Sequence, residues 1–248
     1  MLHLRRISFD PVAQVFDKTR GLPEHVMKQL LEALTQDLHA YRRILDAGTG
    51  TGRFAKPLQD KGFEVVGIDI SKKMISVAKE KGTTNLLRGD ICFLPFKGRY
   101  FDAALCNAVL HLIPELNTAL KEISRVTSKA LVSTIHENRN PLRDAYNYLL
   151  EKKGYESPRR GRPEHQLKNL VAPLRSIHIA SYHIDADQTL AHMSQRAYSH
   201  QWDIPENTNK EIMSTLREQF TGQKFTQRLG LLVWNMDDIR AYCERAVD

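Results

Sequence analysis

The stretch RRILDAGTGTGRF, residues 42–54, decides the fold of this chain. Its first half is branched and apolar, as a buried strand requires, and it ends in the carboxylate of Asp46. Three glycines follow at alternate positions: Gly48, Gly50 and Gly52. Glycine adopts backbone angles that other residues avoid and lets the main chain approach a ligand closely. A strand that runs into a glycine loop and then a helix indicates a ligand crevice at the carboxyl end of an open α/β sheet.

Strand-like and helix-like segments alternate on both sides of this loop. Apolar residues at helical spacing over 23–38 predict a helix before it. We expect strands at 44–47, 64–70, 86–89, 101–107 and 130–136, and helices that end near 61, 81 and 126. Two further strands, 176–184 and 225–235, bring the number to seven. This alternation predicts an α/β fold with a doubly wound, Rossmann-like sheet that is mostly parallel.

The second half of the chain departs from simple alternation. Helices are expected at 142–152, 165–171, 188–200, 206–220 and 237–246. We divide the chain into a cofactor-binding core with an N-terminal lid segment (1–137), a lid helix and loop (138–174), and a completion of the sheet (175–248) with a helical insertion at about 187–222. The additional helices are predicted to cover the open end of the sheet as a lid.

Composition narrows the class of protein. The 248 residues are 42% hydrophobic, which suits one α/β domain with an insertion. The longest apolar stretch, 103–113, is too short to span a bilayer, and the first residues lack the apolar run of a signal peptide. Three scattered cysteines indicate reduced thiols, so we expect a cytoplasmic protein. The net charge of +7 favours polyanionic partners slightly but identifies none.

Two classes of ligand use such a glycine loop, and its spacing does not separate them. A dinucleotide site has the pattern G-x-G-x-x-G/A. Starting at Gly48, the pattern fails because Arg53 stands last. Starting at Gly50, it holds because Ala55 stands last. Charge separates the two ligand classes better than spacing does. The electrostatic repulsion between a carboxylate and a pyrophosphate about 5 Å apart costs about 3 kcal/mol per pair of unit charges at an effective dielectric near 20. Asp46 therefore favours a ligand with an ammonium and a sulfonium, such as S-adenosylmethionine.

Two more carboxylates follow the next two strands. Asp69 ends the second strand about twenty residues beyond the first glycine, where an acid binds both hydroxyls of a ribose. Asp90 follows the third strand, and a carboxylate there accepts a hydrogen bond from an adenine amino group. An Asx-turn is the structural alternative for Asp90. Three carboxylates at one edge of the sheet predict a site that attracts a cation and repels phosphate.

These segments resemble the class I S-adenosylmethionine-dependent methyltransferases. Within that family they are most similar to the small-molecule branch of ubiquinone and menaquinone biosynthesis enzymes (methyltransferase type 11). The resemblance covers residues 9–136 and rests on FDKTRGLP (16–23), LDAGTGTGR (45–53), GIDIS (67–71), GDI with LPF (89–96) and FDAAL with LHLI (101–113). The stretch 190–206 also resembles an insertion of some bacterial and archaeal members. One departure is TSKA at 127–130, where such proteins carry a Pro-Gly-Gly turn before the fifth strand.

The resemblance implies roles for most residues of the site. Gly48 and Gly50 lie against the methionyl part of the cofactor, and we expect Asp46 and Gly52 of the same loop to bind the cofactor as well. Asp69 binds the ribose, Asp90 with Ile91 binds the adenine, and Ile70 is a further expected cofactor-binding residue. Asn107 contacts the methionyl amino group through its backbone, and Arg20 lies near the cofactor carboxylate.

The acceptor side of the site is less defined. His111 follows the fourth strand and is a candidate to accept a proton from the nucleophile, with a buried structural histidine as the alternative. Tyr198 and Trp202 are candidates for an aromatic wall over the substrate, with helix packing as the alternative. Methyl transfer from a sulfonium is an in-line displacement that needs alignment and water exclusion more than covalent help. No cysteine or histidine spacing indicates a metal ligand set, so no metal is expected.

We expect a small-molecule acceptor and keep three alternatives open. The net charge and an arginine-rich loop at 157–163 favour RNA, such as tRNA, as the acceptor. A second alternative is a non-catalytic S-adenosylmethionine-binding module. A third is a nucleotide-dependent oxidoreductase. The sequence indicates neither the acceptor atom nor the pathway nor the oligomeric state.

Overall fold

A computed structural model describes residues 7–155 and 163–245 of the chain. Seven strands form one sheet: β1 (Arg43–Ala47), β2 (Glu64–Asp69), β3 (Leu86–Arg88), β4 (Phe101–Leu105), β5 (Thr127–His136), β6 (Arg175–Asp185) and β7 (Lys224–Asn235). Their order across the sheet is β3-β2-β1-β4-β5-β7-β6. The first five strands pair in parallel, and β7 runs antiparallel between β5 and β6. The predicted seven-stranded, mostly parallel α/β fold is therefore confirmed.

Helices cover both faces of this sheet. They are α1 (Phe16–Arg20), α2 (Glu24–Leu38), α3 (Ala55–Asp60), α4 (Lys72–Glu80), α5 (Leu116–Val126), α6 (Pro141–Lys152), α7 (Pro163–Leu170), α8 (Ala186–Ser194), α9 (Glu206–Phe220) and α10 (Met236–Arg245). One core lies between the sheet and α5, α7 and α10, and a second lies between the sheet and α2 and α3. Both faces of the strands are thus buried, which explains their nearly continuous apolar sequences.

Local chemistry sets several helix boundaries. The Ser71 hydroxyl accepts a hydrogen bond from the Met74 amide and so caps α4, as its position after β2 predicts. The Asn140 side chain caps α6 in the same way by accepting from the Arg143 amide. β5 begins at Thr127, directly after α5, because the chain has no Pro-Gly-Gly turn there. The strand therefore starts three residues earlier than its apolar pattern predicts.

The expected helix at 188–200 is wrong in its second half. α8 ends at Ser194, and Arg196 has a φ of 52°, a left-handed conformation that ends a helix. A short 3₁₀ turn, Ser199–Gln201, follows. The apolar spacing that predicted the longer helix continues across this break through Tyr198 and Trp202. Both side chains nevertheless pack outside the helix.

Three helices beyond the simple alternation have a core of their own. Side chains of α6, α8 and α9 form a separate apolar cluster that includes the buried Tyr146, Leu190 and Leu216. The Tyr146 hydroxyl donates to Asn209 of α9 at 2.8 Å inside this cluster. The proposed division of the chain at 137 and 174 remains a prediction.

Within residues 7–155 and 163–245, no helix combines the length and the apolar character needed to cross a bilayer.

Candidate functional site

The glycine loop after β1 has the backbone conformation that its composition predicts. Gly48, Gly50 and Gly52 have φ angles of 77°, 55° and 72°, which side chains with a Cβ rarely adopt. The amides of Gly48 and Thr49 both donate to the Ile68 carbonyl, at 2.8 and 3.0 Å. The loop is therefore held against the end of β2 by its own backbone.

The three glycines differ in what surrounds them. A Cβ at Gly48 would lie 2.4 Å from a methyl carbon of Val109, and a Cβ at Gly52 would lie 2.4 Å from the Thr83 hydroxyl. At Gly50 the nearest atom would be a backbone oxygen 4.0 Å away. Gly48 and Gly52 thus allow close packing of the loop, and Gly50 exposes its backbone to the open crevice.

Asp46 lies beneath the loop and is only 2% exposed. Its carboxylate accepts a hydrogen bond from the Thr49 hydroxyl at 2.7 Å. Burial, with a smaller contribution from the neighbouring charge of Asp69, raises the pKa of Asp46 to about 7, although the hydrogen bond from Thr49 lowers it. A cation bound in the crevice would offset this burial and stabilise the ionised form, whereas an anion would oppose it.

Asp69 ends β2 beside the same loop. Its carboxylate accepts from the backbone amides of Gly50 at 2.9 Å and Ser71 at 2.8 Å. Burial raises the pKa of Asp69, although these hydrogen bonds lower it. We call residues 46–52 and 69–71 the floor of the crevice.

Other predicted cofactor residues lie along the same edge of the sheet. Ile70 follows Asp69 and is half-buried, and Ile91 is buried in the core beside the end of β3. One Asp90 oxygen accepts from the Cys92 amide at 2.8 Å, which is the Asx-turn named above as its structural alternative. Asn107, just past the end of β4, accepts a hydrogen bond from the Thr134 hydroxyl of β5. Their contacts to a cofactor remain a prediction.

Arg20 has the most unusual surroundings of the predicted residues. Its guanidinium carbon lies 5.1 Å from the ring centre of Phe9, 5.5 Å from that of Phe16 and 4.8 Å from that of Tyr198. One terminal nitrogen donates to the Ala197 carbonyl at 2.6 Å, but the buried Nε has no hydrogen-bond partner in the described chain. Burial lowers the pKa of Arg20 to about 10. No described carboxylate pairs with this cation, so the site can still accept an anion.

The sequence did not indicate Asp17, which joins the N-terminal segment to the floor. Its carboxylate accepts from the Thr51 hydroxyl at 2.8 Å and from Arg53 at 2.9 Å, and it also pairs with Lys81. These hydrogen bonds lower the pKa of Asp17 despite its partial burial. The partners lie 34 to 64 residues away in sequence, so no local pattern signals the contact.

A second segment from the far end of the chain packs over the first. Tyr198 stacks near the Arg20 guanidinium, and Trp202 contacts Phe9 with 5.3 Å between ring centres. Arg196 donates to the carbonyls of residues 201, 202 and 204 and so orders this loop. We call residues 9–20 and 196–204 the cover. The structure thus brings Arg20 and Tyr198 together, with Trp202 beside them.

His111 and the arginine-rich loop are the remaining features that the sequence predicted for the site. His111 lies in a short 3₁₀ turn, Leu110–Leu112, after the end of β4, and is half-buried. The arginine-rich loop falls almost wholly outside the described residues.

A cavity of about 430 Å³ lined by Arg43, Glu64 and Tyr100 opens at the amino ends of β1 and β2, on the opposite edge of the sheet. Parallel α/β folds bind ligands at the carboxyl edge, so the crevice is the better candidate.

Comparison with known proteins agrees with this geometry. Residues 45–130 match the family described as Methyltransferase domain. The chain is 31% identical over 150 residues to a demethylmenaquinone methyltransferase of Renibacterium salmoninarum, covering 57% of this chain and 63% of that protein. It is 38% identical over 99 residues to a malonyl-[acyl-carrier protein] O-methyltransferase of Erwinia pyrifoliae, covering 38% of each. The chain spans about half the length of the curated relatives it matches.

Solved structures support the fold over a longer part of the chain. An S-adenosylmethionine-dependent methyltransferase of Thermotoga maritima, described as a possible histamine N-methyltransferase, superposes with a TM-score of 0.53 at 17% identity. The match covers 92% of this chain and 98% of that one. At this identity the likeness shows the fold alone. The resemblance to class I methyltransferases is confirmed over residues 45–130, which match the Methyltransferase domain family.

Proposed function

We propose that this protein transfers a methyl group from S-adenosylmethionine to a small-molecule acceptor by in-line displacement. The observation that carries the proposal is the pair of carboxylates, the buried Asp46 and the half-buried Asp69, which accept hydrogen bonds from the glycine loop. Together they favour a ligand with a sulfonium and an ammonium and disfavour a pyrophosphate. The methyltransferase domain matched at residues 45–130 supports the same donor.

The floor and cover offer complementary groups to the two ends of the methionyl moiety. Asp46 and the backbone of the loop, at Gly48, Gly50 and Gly52, would lie beside the ammonium and sulfonium. Arg20 would pair with the carboxylate, which explains why a buried guanidinium has no acidic partner in the described chain. We assign the Asn107 backbone to the ammonium as a further contact.

The nucleoside would extend along the carboxyl ends of β2 and β3. We assign Asp69 and Ile70 to the ribose and Asp90 and Ile91 to the adenine. The free Gly50 surface allows the backbone to approach this part of the ligand. Bound S-adenosylmethionine supplies an activated methyl group, so the protein contributes alignment and exclusion of water.

The acceptor would enter between the end of β4 and the cover. His111 remains a candidate proton acceptor, and Tyr198 and Trp202 remain candidates for the wall that excludes water. The relatives named above act on demethylmenaquinone and on malonyl-[acyl-carrier protein]. These names support a small organic acceptor here, and no described feature favours RNA. We place the reaction in the cytoplasm on the grounds of the sequence composition.

Titration calorimetry with S-adenosylhomocysteine, S-adenosylmethionine and NAD tests the donor assignment. We expect tight binding of the two adenosyl compounds and no measurable heat with NAD. Binding of NAD without S-adenosylhomocysteine would refute the proposal and favour an oxidoreductase. Binding of the cofactor with no methylation in a broad acceptor panel would favour a non-catalytic module.

A further inference from the structure

Helix α7 brings a carboxylate to the acceptor side of the crevice. The helix packs against β5 and against the turn at Leu110–Leu112. The His165 Nε2 lies 2.9 Å from the His136 carbonyl at the carboxyl end of β5, which fixes the start of α7 at the same edge as the glycine loop. The first turn of α7 therefore lies where the proposed acceptor would enter.

Glu164 in that first turn points inward. It is 8% exposed, and it shares a face of the helix with Leu167 and Val171, which are buried in the core. Among residues 7–155 and 163–245, no other residue donates a hydrogen bond to its carboxylate or pairs with it as an ion. Burial raises the pKa of Glu164 to about 7. A buried carboxyl group with no cationic partner is expensive to ionise unless a ligand supplies the cation.

Two packing observations relate Glu164 to the floor. α7 packs against the turn at Leu110–Leu112, which follows β4, and Asp46 lies near the end of β1, the strand paired with β4. Cys106 lies just past the end of β4 and is fully buried. Burial raises the pKa of this thiol, and the charges of Asp46 and Glu164 add smaller contributions in the same direction. Glu164 thus lies on the α7 side of the end of β4, and Asp46 lies on the β1 side.

We propose that the Glu164 carboxylate faces the transferred methyl group and selects an acceptor that reacts through a basic nitrogen. This inference rests on the proposed function. A nitrogen acceptor arrives largely as an ammonium, which the carboxylate attracts. An acceptor that reacts through a carboxylate would meet like charge there and would be disfavoured.

The proposed step conserves atoms and charge. Glu164 accepts a proton from the ammonium, which leaves a neutral amine with a free electron pair. That pair forms the new C–N bond as the C–S bond breaks, and the bonding electrons remain on sulfur. The products are S-adenosylhomocysteine and a protonated N-methyl amine, and the Glu164 proton passes to solvent as the site opens.

Sinefungin provides a test that needs no knowledge of the acceptor. It carries an amine-bearing carbon where S-adenosylmethionine has its methylated sulfonium, so its ammonium occupies the position of the transferred methyl group. We expect calorimetry to show that the wild-type protein binds sinefungin at least ten times more tightly than S-adenosylhomocysteine. In Glu164→Gln we expect this ratio to fall by at least fivefold, with the affinity for S-adenosylhomocysteine unchanged.

Matched variants make the result specific. Glu164→Asp retains the charge and should keep most of the preference, and Glu218→Gln, at an exposed position of α9, should keep all of it. Gln has nearly the shape of Glu, and Glu164→Met provides a second neutral variant if Gln is not tolerated. An unchanged ratio in the neutral variants, or no wild-type preference, would overturn the inference while the proposed function stands. Failure of either ligand to bind the wild type would overturn both.

Discussion

The floor and the cover of the crevice are built in different ways. The floor is a backbone structure in which glycine amides and strand-end carboxylates contact one another within one βαβ unit. The cover is a side-chain structure, in which Arg20 reaches the Ala197 carbonyl across 177 residues of sequence. Asp17 joins the two through Thr51, Arg53 and Lys81.

This difference separates recognition of the donor from recognition of the acceptor. In the function that we propose, a floor made of backbone and the carboxylates of Asp46 and Asp69 has one shape and would suit one ligand, the cationic nucleoside. A cover made of side chains from distant segments can change without disturbing the sheet. We therefore expect substitutions in the floor to alter stability and affinity for the whole nucleoside. Substitutions in the cover should alter the affinity only for ligands that carry the particular group that the substituted residue contacts.

The largest expected effect concerns the buried charge of the floor. The folded-state pKa of Asp46 is raised to about 7, above that of about 3.9 in an unfolded chain. The folded state therefore binds the proton more tightly, and stability falls as the pH rises between these values. For the cofactor-free protein we expect a loss on the order of 3 kcal/mol between pH 5 and pH 8 from this group. Urea unfolding at both pH values measures it.

Asp46→Asn is the control for this pH dependence. It removes one titrating group, so its free energy of unfolding should fall by about 3 kcal/mol less than that of the wild type between pH 5 and pH 8. Glu164 has a raised pKa of the same sign and accounts for part of the remaining dependence. An identical pH profile in wild type and variant would contradict a raised pKa of the buried Asp46.

The next effect comes from the close packing of the loop. In Gly48→Ala the new methyl group would lie 2.4 Å from Val109 at a φ of 77°. We expect the affinity for S-adenosylhomocysteine to fall about 100-fold, or about 2.7 kcal/mol. Gly62→Ala is the matched control, since Gly62 has a φ of 90° and open space around it. It should lose about 1 kcal/mol of stability from strain but keep its affinity within about twofold. Equal effects would refute a specific role for the loop.

Arg20 tests whether the cover recognises one end of the ligand. Arg20→Met keeps an apolar stem among the aromatic rings but removes the guanidinium. We expect about a 30-fold loss of affinity for S-adenosylhomocysteine, or about 2 kcal/mol, from the lost charge-assisted hydrogen bonds. Methylthioadenosine lacks the carboxylate, so its affinity should change by less than about twofold. A parallel loss for both ligands would place Arg20 elsewhere than at the carboxylate.

Asp69 should give the opposite pattern. Asp69→Ala is expected to weaken S-adenosylhomocysteine by about tenfold, or about 1.4 kcal/mol, through lost hydrogen bonds to the ribose. Methylthioadenosine retains the ribose, so its affinity should fall by the same factor. Unchanged affinity for both would refute the assignment of Asp69 to the ribose.

The smallest effect is expected at the contact between cover and floor. Asp17→Asn weakens the ion pairs to Arg53 and Lys81, both partly exposed, so we expect about a threefold loss of affinity for S-adenosylhomocysteine. Asp60→Asn, which removes an exposed pair with Lys56 on α3, is the control and should have no effect on binding. A loss as large as that of Arg20→Met would show that floor and cover act as one unit.

Much of the fold was predictable because apolar residues recur at regular spacing along its helices and strands. α5 and α9 begin and end at the residues that their apolar spacing predicts, and Ser71 caps α4 as expected. The break after Ser194 was not predictable, because Tyr198 and Trp202 continue the helical spacing while they serve the cover instead. The contacts of Asp17 were equally unpredictable, because its partners Thr51, Arg53 and Lys81 lie in two parts of the chain that are distant from it in sequence.

By itself the sequence determined the floor, and with it the class of donor that we propose. Strand, carboxylate, glycine loop and helix follow one another, so short-range backbone geometry requires them to meet at one edge of the sheet. Only the tertiary structure decided the cover, in which aromatic rings from two distant segments enclose Arg20, and the burial of Glu164. Such contacts depend on which surfaces, distant in sequence, pack against each other and bury their side chains. The spacing of residues along the chain carries no information about that packing.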